Sequence, residues 1–301
     1  MRENVLGLEV VLANGNIFKT GGRSKKSAAG YDLTKLIVGS EGTLGLITHL
    51  TLKLQGIPES ISAAICSFPT VNDAVQTVIQ TIQMGIPIAR MELVDSQTIE
   101  ACNEYFKENM LVSPHLFLEF HGSENSVKEQ SETVSEIATN FSGSNFEWSS
   151  KSEQRNKLWK NRHNAFYAVK AKYPGHKAIA TDACVPISEL ANLIDQTAKD
   201  INESGIPGPI WGHVGDGNFH ATLLIKEGDI KEKKIAQAII HRMCERSLEL
   251  GGTVTGEHGI GMGKLNFMEK EHGYAWDIMT TIKKTLDPNS ILNPGKVIRS
   301  N

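Results

Sequence analysis

The segment WGHVGDGNFHATLLI, residues 211–225, places His213 and His220 on either side of a glycine-rich stretch. If Gly215–Asn218 is the turn of a β-hairpin, His213 pairs with His220 across it. Directly opposed residues of antiparallel strands have Cβ atoms about 4.5–5.5 Å apart, a distance at which two imidazoles can bind one metal ion. The spacing therefore predicts a pair of metal ligands, and simple packing of both rings on the hairpin stays open as the alternative.

A carboxylate follows downstream in GGTVTGEHGIGMGK, residues 251–264. Two histidines with one carboxylate leave coordination positions open, which is typical of a catalytic metal site. Neighbouring residues of an extended chain point in opposite directions, so Glu257 is predicted as the third ligand and His258 as an imidazole beside the substrate. A glycine-rich surface turn is the alternative.

Two further segments contain residue types suited to binding. The stretch VGSEGTLGLIT, residues 38–48, matches neither GxGxxG nor a P-loop, but its small residues could approach a flat or anionic ligand. In LWKNRHNAFYAVKAK, residues 158–172, Arg162 offers the two-pronged donor that a carboxylate accepts. A tight turn or bulge and a solvated surface charge are the respective alternatives.

The composition limits what these residues can belong to. The chain has 301 residues, of which 40% are hydrophobic and 22% charged, so it can bury a core and is not a disordered protein. A net charge of -3 gives no electrostatic signature of nucleic-acid binding. No apolar run approaches the about 20 residues of a transmembrane helix. The four cysteines contain no CxxC pair, which favours reduced thiols in an intracellular or organellar protein.

The elements that must position these residues follow from hydrophobic pattern. In residues 1–56, NVLGLEVVL and NIFKT flank Asn14-Gly15 and predict a hairpin with a primed turn. The stretch LIVGSEGTLGLITHLTLKL predicts a strand, a glycine-rich turn and a strand, and GIPES predicts a domain boundary. Beyond it, short strands alternate with helices, including a long helix over 151–171. Because the turn near residue 216 requires an antiparallel pair, we expect an α+β fold with a largely antiparallel sheet covered by helices.

HVGDGNFH, GTVTGEHGIGMGK and LNPGK together resemble the signatures of the flavin-dependent D-2-hydroxyacid dehydrogenases of the vanillyl-alcohol-oxidase type. The resemblance implies that residues 1–56 are the C-terminal part of an FAD-binding α+β domain. It also implies that residues 57–301 form a substrate and metal domain, of which 255–301 return to the flavin. The expected reaction is FAD-dependent oxidation of D-lactate to pyruvate in the mitochondrion, with cytochrome c as electron acceptor. D-2-hydroxyglutarate or glycolate as substrate, and an inactive truncated isoform, are alternatives.

The resemblance also implies roles for single residues. His213, His220 and Glu257 match the ligands of a divalent metal, zinc or manganese, and His258 matches the histidine that accepts the substrate proton. Arg162 matches the arginine that holds the substrate carboxylate, and Asn218 falls where the family has a polar residue near the substrate. The residues that match the FAD-lining positions are Gly39, Ser40, Glu41, Gly42, Thr43, Gly45 and Asn293.

Two departures from the family pattern limit these expectations. Ala180 stands where the hydroxyglutarate enzymes have a lysine, which favours a monocarboxylate substrate. Met1 matches an internal methionine of the family, so we expect that the segment with the glycine-rich loop around the FAD pyrophosphate is missing and that the chain alone binds metal but little FAD. A metallohydrolase with the same three ligands would be a different class of enzyme, but it would not explain residues 38–48 or LNPGK.

Overall fold

Strands and helices alternate along most of the chain in the computed structural model, which describes residues 2–24 and 26–299. By its internal contacts the chain divides into two compact units. Unit 1 combines Met1–Gly56 with Glu257–Asn301, and unit 2 is Ile57–Gly256. His213, His220, Arg162 and Asn218 therefore all lie in unit 2, whereas Glu257 and His258 belong to unit 1.

The elements are numbered here in chain order. The strands are β1 (Val5–Val11), β2 (Ile17–Gly21), β3 (Leu46–Leu52), β4 (Ser60–Ser67), β5 (Ile88–Val94), β6 (His115–Gly122), β7 (Ser144–Ser149), β8 (His176–Ala180), β9 (Ala183–Cys184), β10 (Ile210–Gly212) and β11 (Asn218–Lys226). The helices are α1 (Leu33–Ile37), α2 (Val71–Gln83), α3 (Ser96–Phe106), α4 (Glu124–Asn140), α5 (Ser152–His163), α6 (Ala165–Lys172), α7 (Leu190–Ser204), α8 (Ile230–Glu249), α9 (Met268–His272) and α10 (Ala275–Leu286).

In unit 1, β1 lies between β2 and β3 and is antiparallel to both. The predicted hairpin of β1 and β2 is confirmed, but the predicted primed turn is wrong. Of the loop residues only Gly15 has a positive φ, 83°, and its N–H donates to the carbonyl of Leu12. A primed type I turn needs a positive φ at both central residues, so Gly15 instead ends a three-residue loop.

The segment after Asp32 forms helix α1, where the sequence predicts a strand. The side chain of Asp32 accepts a hydrogen bond from the backbone N–H of Lys35 at 3.0 Å, which is an N-cap. The cap satisfies a donor that a strand would direct to a neighbouring strand, and the short helix ends at Ile37. The second half of the prediction is correct, because β3 follows the glycine-rich turn.

Unit 2 is built on one sheet with the strand order β7-β4-β6-β5-β10-β11-β8, and every neighbouring pair is antiparallel. Side chains alternate between two cores. Leu116, Leu118 and Phe120 of β6 join a core with residues of α2, α4, α7 and α8. Phe117 joins a second core with residues of α3, α5 and α6. The predicted α+β fold, an antiparallel sheet covered by helices, is confirmed.

The predicted long helix over 151–171 is two helices, α5 and α6, which are separated at Asn164. The side-chain amide of Asn164 donates to the carbonyl oxygen of Lys160 at 2.8 Å. The backbone N–H of Asn164 donates to the same oxygen at 3.1 Å, so this carbonyl accepts two bonds. A side-chain bond back to residue i−4 favours a bend in a helix, and Asn164 has φ −102° and ψ 9°. The break comes two residues after Arg162, so α5 presents Arg162 in its last turn.

A candidate metal and carboxylate site

The predicted register of the histidine hairpin is wrong, although both histidines come together. His220 pairs with Trp211, not with His213. The reason is a short 3-10 turn at Val214–Asp216, which places His213 in the connection after β10. The N–H groups of Asp216 and Asn218 both donate to the carbonyl of His213, at 2.9 and 3.3 Å. The two imidazole centroids are 5.9 Å apart and the rings are nearly perpendicular, at 84°.

Hydrogen bonds set the tautomer of both rings. Nδ1 of His213 lies 2.7 Å from Oε1 of Glu92, and Nδ1 of His220 lies 2.9 Å from the carbonyl oxygen of Thr181. A carboxylate and a carbonyl only accept, so each Nδ1 carries a proton, and in the neutral ring Nε2 then carries the lone pair. Metal-binding histidines typically have their second nitrogen held in this way. The donor set of unit 2 therefore fits a divalent cation.

Arg162 is bound to the same carboxylate as His213. Its Nη2 donates to Oε2 of Glu92 at 2.8 Å. Arg162, His213 and Trp159 line a cavity of about 600 Å³. Nε of Arg162 is buried and has no hydrogen-bond partner among the described residues. A guanidinium at a cavity wall, with one terminal nitrogen held by a carboxylate, is suited to bind the carboxylate of a small ligand.

Asn218 belongs to a buried network that fixes the chain before Glu257. Its Nδ2 donates to Oδ1 of Asp182 at 2.8 Å and to the carbonyl of Ala183 at 3.0 Å. The hydroxyl of Thr255 donates to the other oxygen of Asp182 at 2.7 Å. A Cβ added to Gly256 would lie 2.1 Å from Nδ2 of Asn218, so only glycine allows the backbone this approach. The predicted role of Asn218 beside a substrate stays a prediction.

Glu257 and His258 come directly after Gly256 in the chain. Residues 256–258 are bent, not extended, and Oε1 of Glu257 lies 3.6 Å from Nε2 of His258. The expectation that the two side chains point in opposite directions is therefore wrong. Their separate roles, as metal ligand and as proton acceptor, stay predictions.

Unit 1 brings the predicted FAD-lining residues together. The carboxylate of Glu41 accepts from the backbone N–H groups of Ile260 and Gly261, at 2.6 and 2.8 Å. Nδ2 of Asn293 donates to the carbonyl of Glu41 at 2.6 Å, and a Cβ on Gly42 would lie 2.8 Å from that nitrogen. The segment that carries Glu41 is thus hydrogen-bonded both to the loop at Ile260–Gly261 and to the C-terminal segment at Asn293.

The other residues of that segment build the turn itself. The buried hydroxyl of Thr43 donates to the carbonyl of Ser40 at 2.7 Å. Gly39 has a φ of 90°, which favours glycine, and a Cβ on Gly45 would lie 2.5 Å from a methyl carbon of Val10. These glycines are explained by local geometry alone, and their contact with FAD stays a prediction.

Sequence reasoning missed Glu92, Asp182 and Thr181, whose oxygen atoms hold His213, Asn218 and His220. Glu92 had a detectable signal, because it is a charged residue within the apolar second half of the strand, Met91–Val94. Asp182 and Thr181 lie in the short irregular segment between β8 and β9. No pattern marks them there, because only the tertiary fold brings them beside β11.

A family of known proteins matches most of the chain. The model of the FAD linked oxidases, C-terminal domain, matches residues 57–297. The chain belongs to this family. The resemblance to flavin-dependent enzymes that the motifs indicate is confirmed, and family membership favours flavin-linked oxidation over a metallohydrolase.

Curated relatives agree with the family. The chain is 50% identical to "Probable D-lactate dehydrogenase, mitochondrial" of Danio rerio, over 99% of this chain and 61% of the relative. It is 46% identical to "D-lactate dehydrogenase [cytochrome], mitochondrial" of Arabidopsis thaliana, over 99% of this chain and 53% of the relative. A glycolate oxidase subunit of Bacillus subtilis is 36% identical over 98% of this chain and 63% of the relative. The chain thus spans between 53% and 63% of the length of these relatives.

Solved structures show the same fold at low identity. The 4-ethylphenol oxidase from Gulosibacter chungangensis has a TM-score of 0.74 at 17% identity, over 98% of this chain and 66% of that chain. A p-cresol methylhydroxylase has a TM-score of 0.71 at 16% identity, over 98% of this chain and 65% of that chain. In the described parts of this chain, no helix combines the length and apolar character needed to cross a membrane.

Proposed function

We propose that this chain is the substrate- and metal-binding part of an FAD-linked oxidoreductase that oxidises a D-2-hydroxy acid, D-lactate, to pyruvate. The observation that carries the proposal is the arrangement in unit 2. Two imidazoles with protonated Nδ1 atoms lie 5.9 Å apart by their centroids, and a guanidinium shares the carboxylate of Glu92 with one of them. A 2-hydroxy acid presents a hydroxyl and a carboxylate on adjacent carbons, which are the two groups that such a site can bind.

The metal ligands are His213 and His220 through Nε2, with Glu257 as the third. Glu257 follows Gly256 by one peptide bond, and Gly256 packs directly on Asn218 in unit 2. Imidazole and carboxylate donors suit zinc or manganese. When bound, a divalent cation acts as a Lewis acid that lowers the pKa of the substrate hydroxyl.

The other residues orient the substrate and move its proton. Arg162 binds the substrate carboxylate, since Glu92 occupies only one of its terminal nitrogens and the side chain lines the cavity. His258 accepts the hydroxyl proton, a role that an imidazole can perform near neutral pH. Trp159, with Arg90 over its ring at 4.9 Å from the centroid, forms part of the cavity wall.

FAD supplies the acceptor for the hydride from the substrate carbon. Gly39, Ser40, Glu41, Gly42, Thr43, Gly45 and Asn293 are the residues of unit 1 that we propose to line it. The names of the relatives from Danio rerio and Arabidopsis thaliana support a mitochondrial location, and the second name supports cytochrome c as electron acceptor.

The preference for a short substrate rests on Ala180, which stands where the hydroxyglutarate enzymes have a lysine. Ala180 ends β8 opposite Thr222 of β11, and neither side chain can form an ion pair with a distal carboxylate. D-lactate is therefore preferred over D-2-hydroxyglutarate. The name of the Bacillus subtilis relative keeps glycolate, which is shorter by one carbon, as a second candidate.

The test is the binding of D-lactate to the zinc-loaded chain, followed by tryptophan fluorescence because Trp159 and Trp211 lie beside the site. Binding should require the metal and should weaken about tenfold or more in Arg162→Lys, because an ammonium cannot reproduce the two-pronged contact. Arg155→Lys, the same substitution earlier in α5, is the control and should bind normally. D-lactate binding that is unaffected by metal removal or by Arg162→Lys would refute the proposal.

A further inference from the structure

Glu92 occupies a position on β5 where an apolar residue is expected. Met91 and Leu93 point into the core with α2, and Val94 joins the opposite core, which contains Trp159. Glu92 lies on this second side and is only 6% exposed. A buried ion pair is often no more stabilising than apolar residues of the same volume. The presence of a carboxylate here therefore calls for a reason other than stability.

Each oxygen of Glu92 has a different partner from a different element. Oε1 accepts from Nδ1 of His213 at 2.7 Å, in the turn after β10, and Oε2 accepts from Nη2 of Arg162 at 2.8 Å, at the end of α5. A carboxylate has no donor of its own. It therefore fixes the proton of His213 on Nδ1 and one edge of the guanidinium at the same time.

From this geometry we infer that Glu92 is a positioning residue that holds the metal ligand His213 and the carboxylate-binding Arg162 in one fixed arrangement. The inference rests on the proposed function, in which His213 binds the metal and Arg162 binds the substrate carboxylate. A single rigid side chain then sets the span between metal and guanidinium, and that span must match the hydroxyl and carboxylate of a 2-hydroxy acid.

The substitution Glu92→Gln separates the two roles of the side chain, which are to hold His213 and to hold Arg162. Glutamine has one accepting oxygen and one donating nitrogen, so it can accept from His213 or from Arg162 but not from both. If the nitrogen faces His213, that ring must move its proton to Nε2, the atom needed for the metal. If the nitrogen faces Arg162, two donors meet and the guanidinium is displaced.

The matched control is Glu119→Gln on the neighbouring strand β6. Oε1 of Glu119 accepts from Nε2 of His121 at 2.9 Å, so the substitution also removes a carboxylate from a histidine on the same sheet. His121 is outside the proposed site. A purely structural effect of losing such a contact should therefore be the same in both variants.

The experiment measures zinc affinity by competition with a chromophoric chelator, and D-lactate affinity at saturating zinc, for the unsubstituted chain and both variants. In Glu92→Gln at least one of the two affinities should fall about tenfold or more, as is typical when the partner of a metal-binding histidine is removed. Glu119→Gln should bind both as the unsubstituted chain does. Unchanged affinities in Glu92→Gln, or equal losses in the two variants, would overturn the inference.

A second readout needs no variant at position 92. Long-range ¹H–¹⁵N spectra of the metal-free chain are recorded at about pH 8, where an ordinary histidine is neutral. The signals of His213 are identified by their absence from the spectrum of His213→Gln. They should show the Nδ1–H form of the ring. The Nε2–H form would overturn the inference even if Glu92→Gln does not fold. Failure of the unsubstituted chain to bind zinc would instead refute the proposed function.

Discussion

Asp95 should make the stability of unit 2 depend on pH. It lies between β5 and α3 and is buried, and its carboxylate accepts from the N–H and hydroxyl of Thr98 at 2.9 and 2.6 Å. It also accepts from the N–H of Ile210 at 2.8 Å, at the start of the strand that leads to His213. Burial raises the pKa of Asp95 from 3.8 to about 6.

The native state thus binds this proton more tightly than the unfolded chain does. The contribution of Asp95 to the free energy of unfolding is therefore complete below about pH 4 and is lost as the pH rises through about 6. A pKa difference of about two units between the native and unfolded states corresponds to about 3 kcal/mol.

The perturbation is Asp95→Asn, which keeps the size of the side chain but removes its titration. Urea unfolding followed by tryptophan fluorescence gives the free energy of unfolding of both proteins from about pH 4 to about pH 7. The unsubstituted protein should lose about 2 kcal/mol relative to the variant over this range, because at pH 4 the unfolded-state carboxyl is already partly ionised. All other titrating groups are shared, so they cancel in the difference. A difference that stays constant across the range would refute the reasoning.

Three further predictions concern the segments around the site. Gly256→Ala places a Cβ 2.1 Å from Nδ2 of Asn218. Zinc affinity should therefore fall, and the free energy of unfolding in urea should decrease by about 1–3 kcal/mol. The control Gly22→Ala, with nothing within 4 Å of the new Cβ, should show neither effect. Lys283 forms an ion pair with Asp287, and both side chains are buried. Lys283→Met removes the cation from this carboxylate and should destabilise unit 1 by about 3–5 kcal/mol in the same assay, and a change below about 1 kcal/mol would contradict the stabilising role of the pair. His258→Ala should keep its zinc by elemental analysis, and loss of the metal would make His258 a ligand.

Much of the fold follows from local sequence. Beyond residue 56, short strands alternate with helices as the hydrophobic pattern predicts, in the order β4-α2-β5-α3-β6-α4, because each element buries one face against the sheet or a core. The glycine turn near residue 216 also correctly predicts an antiparallel sheet. These features depend on residues close together in the chain.

Two of the incorrect predictions each involve a polar side chain that forms a local hydrogen bond, and a third involves a backbone turn. Asp32 caps a helix in a segment of strand-like composition, and the side chain of Asn164 donates back to the carbonyl of Lys160 where α5 ends. A 3-10 turn shifts the pairing of the histidine hairpin, so that Trp211 lies opposite His220. Hydrophobic periodicity carries no information about such side-chain bonds.

In the site, too, some residues could be predicted from local sequence and others could not. The motifs identify His213, His220 and Arg162. The fold places His213 and Arg162 at one cavity and on one carboxylate, and the ring of His220 lies beside that of His213. Glu92 is 121 residues from His213 in the chain, and only the pairing of β5 with β10 brings the two together. Residues that hold the site in place, unlike those that would contact a ligand, therefore became visible only in the tertiary structure.

The central claim is that the histidine pair binds a divalent metal, and elemental analysis of the purified chain tests it most directly. We expect about one equivalent of zinc or manganese in the unsubstituted chain and none in His213→Ala or His220→Ala, because a catalytic site with three protein ligands does not retain its ion when one is lost. His115→Ala is the control, since His115 is as buried as His220 and likewise has its Nδ1 on a backbone carbonyl, that of Ser113 at 2.8 Å. It should keep its metal. Full metal content in both His213→Ala and His220→Ala, or no metal in the unsubstituted chain after dialysis against either cation, would contradict the account.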